Sequence, residues 1–384
     1  MKKFLQKLFS VKNENEYKVI MFLGIKFKFR NNNLVLLKIK QDTSNINNLN
    51  KDICDIKNQF SNIRNNILNK RSLLWQGIMD TCPNSFKDYI LTHNMPEEIA
   101  KLKKNLDDKS LKVVDITINK IIQLPDYTYS KFLYIDDNEF KSAFQTPENQ
   151  LFDKLYEQCN FKVRTDYKLS KDDYDMEVFI YHHGLKYTNE KIKNYIKGKD
   201  FIDAGAYIGD SAIVLMEYMP NKIHSFEIAN THIKNYIQTM EINNISDEKY
   251  SLVQYALSDK DDVANIIDDG GMGVKIYNDS GYQVKSTTLD SYLKSKDCIV
   301  GFIKADIEGA MYKALLGMRE TIKKHRPVLS FAIYHSPEEF FKTKPLLDEI
   351  TKDLNYTIEI DCHFSQCYHI YGTVIWAYPK ELEN

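Results

Sequence analysis

The run Phe201-Ile-Asp-Ala-Gly-Ala-Tyr-Ile-Gly-Asp-Ser211 constrains the fold of this chain more than any other stretch. An apolar segment ends at Asp203, glycines follow at 205 and 209, and Ala212, Ile213, Leu215, Met216 and Met219 then recur with helical spacing. A strand that turns through glycine into a helix is an element of an α/β sheet. The glycines let a ligand approach bare backbone, and the free N–H groups at the helix start can hold a carboxylate. Twenty-two residues beyond Gly205, His224-Ser-Phe-Glu227 reads as the end of a second strand. Glu227 stands there where an acid can accept both ribose hydroxyls of a nucleoside.

The spacing of the glycines selects among nucleoside ligands. A dinucleotide site requires G-x-G-x-x-G, whose middle glycine makes room for a pyrophosphate. Tyr207 occupies that position here, and the pattern is Asp203-x-Gly205-x-x-x-Gly209. An acid ahead of the first glycine suits a ligand with an ammonium group. S-adenosylmethionine carries an ammonium, a carboxylate, a sulfonium and a ribose, so it fits this pattern better than NAD. The cofactor-binding candidates are Asp203, Gly205, Ala206, Tyr207, Gly209, Asp210, Ser211, Glu227 and Ala256. The competing interpretation is a tight turn in an ordinary α/β domain.

With these residues in view, the chain resembles the FkbM-type class I S-adenosylmethionine-dependent methyltransferases from about His182 to Pro379. The resemblance rests on Asp203–Ser211, Phe226-Glu227, Ala256-Leu-Ser-Asp259, Ile303-Lys-Ala-Asp-Ile-Glu-Gly309 and Pro327-Val-Leu-Ser-Phe-Ala-Ile-Tyr-His335, in that order. Ala305 departs from the larger aliphatic residue expected, a change that concerns packing and not chemistry. The resemblance implies a Rossmann-like doubly wound sheet with a terminal antiparallel strand, and methyl transfer to a hydroxyl of a sugar in a bacterial surface polysaccharide or its precursor.

At 384 residues the chain is long enough for two domains, and 43% hydrophobic with 27% charged residues is a globular balance. Nothing in it points to nucleic acid as a partner. Residues 1–40 hold ten Lys/Arg against Glu14 and Glu16, a local +8 that leaves −9 for the remainder of a chain whose formal total is −1. Such an arm would touch anionic lipid headgroups or a glycolipid carrier, or else face water as a solvated strand pair. The six scattered cysteines read as reduced thiols, and no secretory signal is evident. The expected location is cytoplasmic, with the basic arm at the inner face of the membrane where it meets lipid. The arm also resembles the openings of bacterial surface-glycan biosynthesis enzymes.

Four regions are expected. Residues 1–40 form a basic leader with a hairpin over 19–30, where Ile25, Phe27 and Phe29 alternate with Lys26, Lys28 and Arg30. Residues 41–70 hold an a/d repeat, Ile46, Leu49, Ile53, Ile56, Phe60, Ile63 and Ile67, about 32 Å of helix at ~1.5 Å per residue. That narrow stripe suits a coiled-coil seam joining copies of the chain, with packing inside one molecule as the alternative. Residues 71–187 are helix-rich, carry no catalytic motif and suit acceptor binding or assembly. From 188 to 384 strands and helices alternate as in a doubly wound α/β sheet, and only about nine residues separate the last two strands, so these pair antiparallel.

In open α/β sheets ligands lie beyond the carboxyl ends of the strands. Asp203, Glu227, Asp306, Glu308 and His335 fall at or just past such ends. The catalytic candidates are His335, Asp306 and Glu308. His335 can take a proton near neutral pH, and Asp306 is its competitor as base. The carboxylates orient an acceptor hydroxyl, contact the cofactor amine or hold a metal, or Lys304 and one acid form a structural ion pair; the sequence leaves these open, and metal dependence with them. Cys362-His-x-x-x-Cys367-x-His369 matches no closed zinc spacing, so His363, Tyr368 and His369 are expected at the pocket rim. His182-His183-Gly184 would cover the cofactor or form a loop. The expected activity is S-adenosylmethionine-dependent O-methyl transfer. Its rivals are a non-catalytic assembly protein of a glycan-synthesis complex, which the heptads support, and an NAD-dependent sugar oxidoreductase.

Overall fold

The computed structural model describes residues 9–14, 17–22, 25–30, 83–123, 166–175, 177–267, 275–277, 282–362 and 372–383. The chain divides into two compact units, Met1–Thr81 with Tyr127–Tyr134, and Cys82–Asp126 with Ile135–Asn384. In the first, β1 (Phe9–Glu14), β2 (Tyr17–Phe22) and β3 (Ile25–Arg30) form an antiparallel sheet in the order β1-β2-β3. The late alternation marks the β2–β3 pair, whereas β1 carries no such pattern. The heptads at 46–67 lie outside the described residues.

The second unit begins with three helices, α1 (Pro83–Thr92), α2 (Met95–Lys103) and α3 (Asp108–Gln123). The Asp107 carboxylate accepts the Ser110 N–H at 2.9 Å and caps α3. A π-helical turn (Glu177–Tyr181), a 3₁₀ segment (His182–Tyr187) and α4 (Glu190–Ile196) lead into the main sheet. Asn189 caps α4 through the Ile192 N–H.

The sheet then builds as β4 (Asp200–Ala204), α5 (Asp210–Leu215), β5 (Ile223–Phe226), α6 (Asn230–Ile242) and β6 (Tyr250–Val253). A side excursion follows: β7 (Tyr255–Leu257), β8 (Asp262–Ile267), β9 (Lys275–Tyr277) and β10 (Tyr282–Thr287) make a second sheet ordered β7-β10-β8-β9. The chain returns through α7 (Leu289–Leu293) to β11 (Val300–Ala305), α8 (Met311–Leu316), α9 (Arg319–His325), β12 (Val328–Ala332), α10 (Pro337–Thr351), β13 (Tyr356–Cys362) and β14 (Thr373–Pro379).

The main sheet runs β13-β14-β12-β11-β4-β5-β6. The five strands from β12 to β6 are parallel, and β14 pairs antiparallel with both β12 and β13, as the short separation requires. Every residue of β4 and β11 is buried, as befits strands covered on both faces. One face, with Ile202, Ile303 and Leu329, packs against Phe86 of α1, Leu102 of α2, Val114 of α3 and Phe340 of α10. The other, with Phe201, Phe302 and Val328, packs against Ile192 of α4, Val214 of α5 and Tyr236 of α6. The three N-terminal helices thus share the core of the sheet and are not a separate body ahead of residue 188. Ala305 is 1% exposed within that core, so its small size is a matter of packing.

Candidate active site

Strand register assembles the site. Period 2 sends Phe302 and Lys304 of β11 to one face, and the parallel register sets Lys304 beside Asp203 of β4. Lys304 Nζ lies 3.1 Å from Asp203 Oδ1 and donates to the Gly205 carbonyl at 2.6 Å. Burial opposes the charge on Lys304, but Asp203, Asp306 and Asp210 surround it, and the net effect is an upward shift. The acid paired with Lys304 is therefore Asp203. Asp203 Oδ2 is buried with no hydrogen-bond partner among the described residues, an acceptor in want of a donor.

The turn after β4 is locked to its neighbours. Gly205 N and Ala206 N both donate to the Phe226 carbonyl at 3.0 Å, and Asp306 N donates to the Ala204 carbonyl at 3.0 Å. Gly205 has φ 76°, and a Cβ on it would lie 1.8 Å from the Asp306 carbonyl oxygen. No other residue fits where the turns after β4 and β11 touch. Tyr207, in the place of a dinucleotide motif's middle glycine, itself takes φ 44°. Its hydroxyl donates to Asp173 at 2.8 Å and accepts from Lys171 at 2.9 Å.

Glu227 has more partners than the sequence implies. One carboxylate oxygen accepts the Tyr207 N–H at 2.9 Å; the other accepts Ile228 N at 2.7 Å and Ala229 N at 2.8 Å, with His232 Nδ1 at 3.4 Å. A carboxylate offers about four lone-pair positions, so about one remains open, on Oε2. Accepting two ribose hydroxyls, as the motif suggests, would displace one of these N–H groups.

At the start of α5, Asp210 accepts the Ser211 N–H at 2.8 Å, taking a donor expected to meet a ligand carboxylate. Burial pushes the Asp210 carboxyl up to about 7 against the pull of Lys304. Ser211 Oγ lies 2.9 Å from His183 Nε2, while His182 turns away to Tyr218. Both histidines have positive φ, 49° and 53°. Ala256 lies on β7, paired with Ser286 in the small sheet, because the run 251–257 breaks at Gln254 instead of forming one strand.

Past β11 and β12 three acids converge on one imidazole. His335 Nε2 lies 3.2 Å from Asp306 Oδ1 and 3.7 Å from Glu308 Oε2, and His335 Nδ1 lies 3.4 Å from Glu339 Oε2. Tyr334 Oη donates to Asp306 Oδ2 at 3.3 Å. Burial alone would lower the His335 pKa, but Asp306, Glu339 and Glu308 together raise it to about 9. The same three acids bear on the expectation that His335 acts as base: they favour the imidazolium, which has no lone pair with which to take a proton. A cavity of about 10 Å³, room for about one water, lies alongside, among His183, Lys304, Asp306, Ser330 and Tyr334.

Glu339 is the site residue that sequence reasoning missed. Its signal is Ser336-Pro-Glu-Glu339, the pattern of a helix capping box. Among the described residues, the group of three side chains close enough to share a metal ion is Asp200, His224 and Cys298, near the opposite strand ends, and not the carboxylates around His335. His363, Cys367, Tyr368 and His369 lie outside the described residues. No described helix is long and apolar enough to cross a membrane.

Residues 203–359 match the family model described as the methyltransferase FkbM domain. Similar solved structures include methyltransferase FkbM from Methylobacillus flagellatus KT, at 15% identity and TM-score 0.46; the match covers 76% of this chain and 60% of that one. An rRNA methylase from Streptococcus thermophilus is 10% identical, covering 55% of this chain and 99% of its own, with TM-score 0.34. A methyltransferase from Streptococcus mutans in complex with SAH is 11% identical, covering 54% and 99%, with TM-score 0.33. No curated protein matches the chain.

Proposed function

We propose that this chain, whose residues 203–359 match the methyltransferase FkbM domain, is an S-adenosylmethionine-dependent O-methyltransferase acting on a sugar hydroxyl of a surface glycan or its precursor. The observation that carries the reading is the direct contact of the turns after β4 and β11. It brings the glycine turn directly against Asp306, and the same turn is bonded to the end of β5 just before Glu227. The residues fit the cofactor: buried Asp203 Oδ2 lacks a donor, which an ammonium supplies, and Glu227 Oε2 has room for a hydroxyl.

S-adenosylmethionine, when bound, supplies the methyl group on a sulfonium. Asp203, the Gly205–Gly209 turn and Glu227 hold it. The proton of the acceptor hydroxyl passes to Asp306, whose carboxylate the His335 imidazolium keeps in place. Glu308, 45% exposed and at φ 50°, stands at the outer edge where an acceptor hydroxyl can be oriented. A positioned base contributes about 10²–10⁴-fold, and in-line alignment supplies much of the remainder.

The test is calorimetric binding of S-adenosylmethionine against NAD, followed by labelled-methyl transfer to mono- and oligosaccharide acceptors. Binding of the former only, with label in a base-stable ether, is expected. Tight NAD binding, or no binding of either, would remove the reading.

A further inference from the structure

Glu339 is fully buried and negatively chargeable, and its carboxylate reaches two chain segments at once. Oε1 accepts the backbone N–H of Met311, the first residue of α8, at 2.9 Å. Oε2 accepts the backbone N–H of His335 at 3.2 Å and lies 3.4 Å from its ring Nδ1. Its own N–H is held by Ser336 Oγ at 3.2 Å. In an ordinary capping box the glutamate would turn back to the Ser336 N–H. Here it is directed instead to the residue before the cap and to a neighbouring helix.

We infer that Glu339 is a positioning residue, which fixes His335 as a doubly protonated ring against Asp306 and, through Met311, anchors the Asp306–Gly309 turn at its far end. Carboxylate oxygens within ion-pair distance of both ring nitrogens favour a proton on each. The groups facing the ring are Asp306 and Glu308 from the turn after β11, Tyr334 from the end of β12 and Glu339 from α10. Three are acids, and the upward shift of the ring agrees with that arrangement. Without Glu339, the remaining acids, Asp306 and Glu308, both lie on the Nε2 side of the ring. The inference rests on the proposed methyl transfer only for what the positioning is for; the positioning itself is a property of the protein alone.

The test follows His335 by ring ¹⁵N and ¹³C resonances in the full chain. In the wild type, both ring nitrogens should be protonated at pH 7, and one bare nitrogen there overturns the inference before any variant is made. In Glu339→Gln, loss of a charge in contact should lower the His335 midpoint by about one pH unit or more, and Glu339→Asp should restore part of it. The alkaline limb of the turnover profile should move down with that midpoint. An unmoved midpoint overturns the inference. A midpoint that moves while the turnover profile stays fixed upholds the positioning and instead overturns the role of Asp306 and His335 in methyl transfer.

Discussion

Two histidines lie at opposite strand ends of the main sheet, each beside an aspartate, and their surroundings differ. His224, near the start of β5, has Nε2 2.9 Å from Asp200 and Nδ1 3.0 Å from the Tyr292 hydroxyl, and Asn221 donates to the other Asp200 oxygen at 2.7 Å. Each group there has a partner: one acid, one ring, one hydroxyl, one amide and the Cys298 thiol on Asp200. His335, past the end of β12, faces three carboxylates, one of which, Asp306, also lines a small cavity. A matched network stabilises a fold, because removing any member leaves a buried polar group unpaired. An excess of acid around one ring leaves oxygens with capacity for a proton that a substrate brings. The two ends teach that a His–Asp contact indicates function only when its surroundings are out of balance.

The largest effect should come from exchanging each aspartate for asparagine. Asp306→Asn should lower methyl transfer by about 10²–10⁴-fold while the fold and S-adenosylmethionine affinity persist. Asp200→Asn should do the reverse, costing about 1–3 kcal/mol in urea unfolding with near-normal turnover per folded molecule. Single-turnover transfer and equilibrium unfolding on both variants would decide the matter. If Asp200→Asn is stable but inactive, the comparison breaks.

The same contrast should appear in pH dependence. The folded His335 pKa, about 9, lies above the unfolded value of ~6.5. A raised histidine stabilises fully below the unfolded value, and the contribution is lost as pH rises through the folded one. Unfolding free energy measured from pH 6.5 to 9.5 should therefore decline by on the order of 2–3 kcal/mol from this group. The decline should be absent from His335→Gln. His182 has the opposite sign: burial first, then Lys186, lowers it to about 4, so its contribution is present above ~6.5 and lost as pH falls through the folded value. Identical curves for wild type and His335→Gln would show that the three acids do not hold the ring charged.

Two glycines sharpen the active end. Gly205→Ala forces a Cβ to 1.8 Å from the Asp306 carbonyl at φ 76°, whereas Gly309→Ala, at φ 99°, meets nothing within 4 Å. The first should cost about 3 kcal/mol or more through clash and strain together, the second about 1 kcal/mol through strain alone. Urea midpoints would compare them. Equal midpoints would mean that the turns after β4 and β11 are not in contact.

The sequence disclosed the parallel sheet and the carboxyl-end placement of Asp203, Glu227, Asp306, Glu308 and His335 because apolar period and glycine spacing are local signals. It did not disclose which acid pairs with Lys304, since that depends on the register of β11 against β4. It also did not disclose that Ala256 lies on the small sheet, because the run 251–257 does not show where a strand breaks. The apolar-periodic stretch 310–324 divides into two helices at Gly317, where a Cβ would meet the Ser258 carbonyl at 2.0 Å, a contact more than fifty residues away in sequence. The charge on His335 depends on Glu339 arriving from another element, and no single-site reasoning supplies that.

A third histidine–carboxylate contact, His232 with Glu227, lies at the carboxyl ends with His335 but is intermediate in character, and gives the smallest prediction. Glu227 is 6% exposed and satisfies three backbone N–H groups, as a structural acid does, yet it keeps acceptor capacity on Oε2 beside the glycine turn. Glu227→Ala should show both characters in moderate degree. Loss of one charge-assisted bond to a ribose hydroxyl, worth about 1.5–3 kcal/mol, should weaken S-adenosylmethionine about tenfold or more by calorimetry. Release of the Tyr207, Ile228 and Ala229 N–H groups should lower unfolding free energy by about 1–2 kcal/mol, less than a closed network would lose because the turn can admit water. Glu227→Gln, which keeps an acceptor without the charge, should recover most of the stability and only part of the affinity. Affinity lost solely in proportion to stability would make Glu227 a structural acid like Asp200, and the ribose would need another partner.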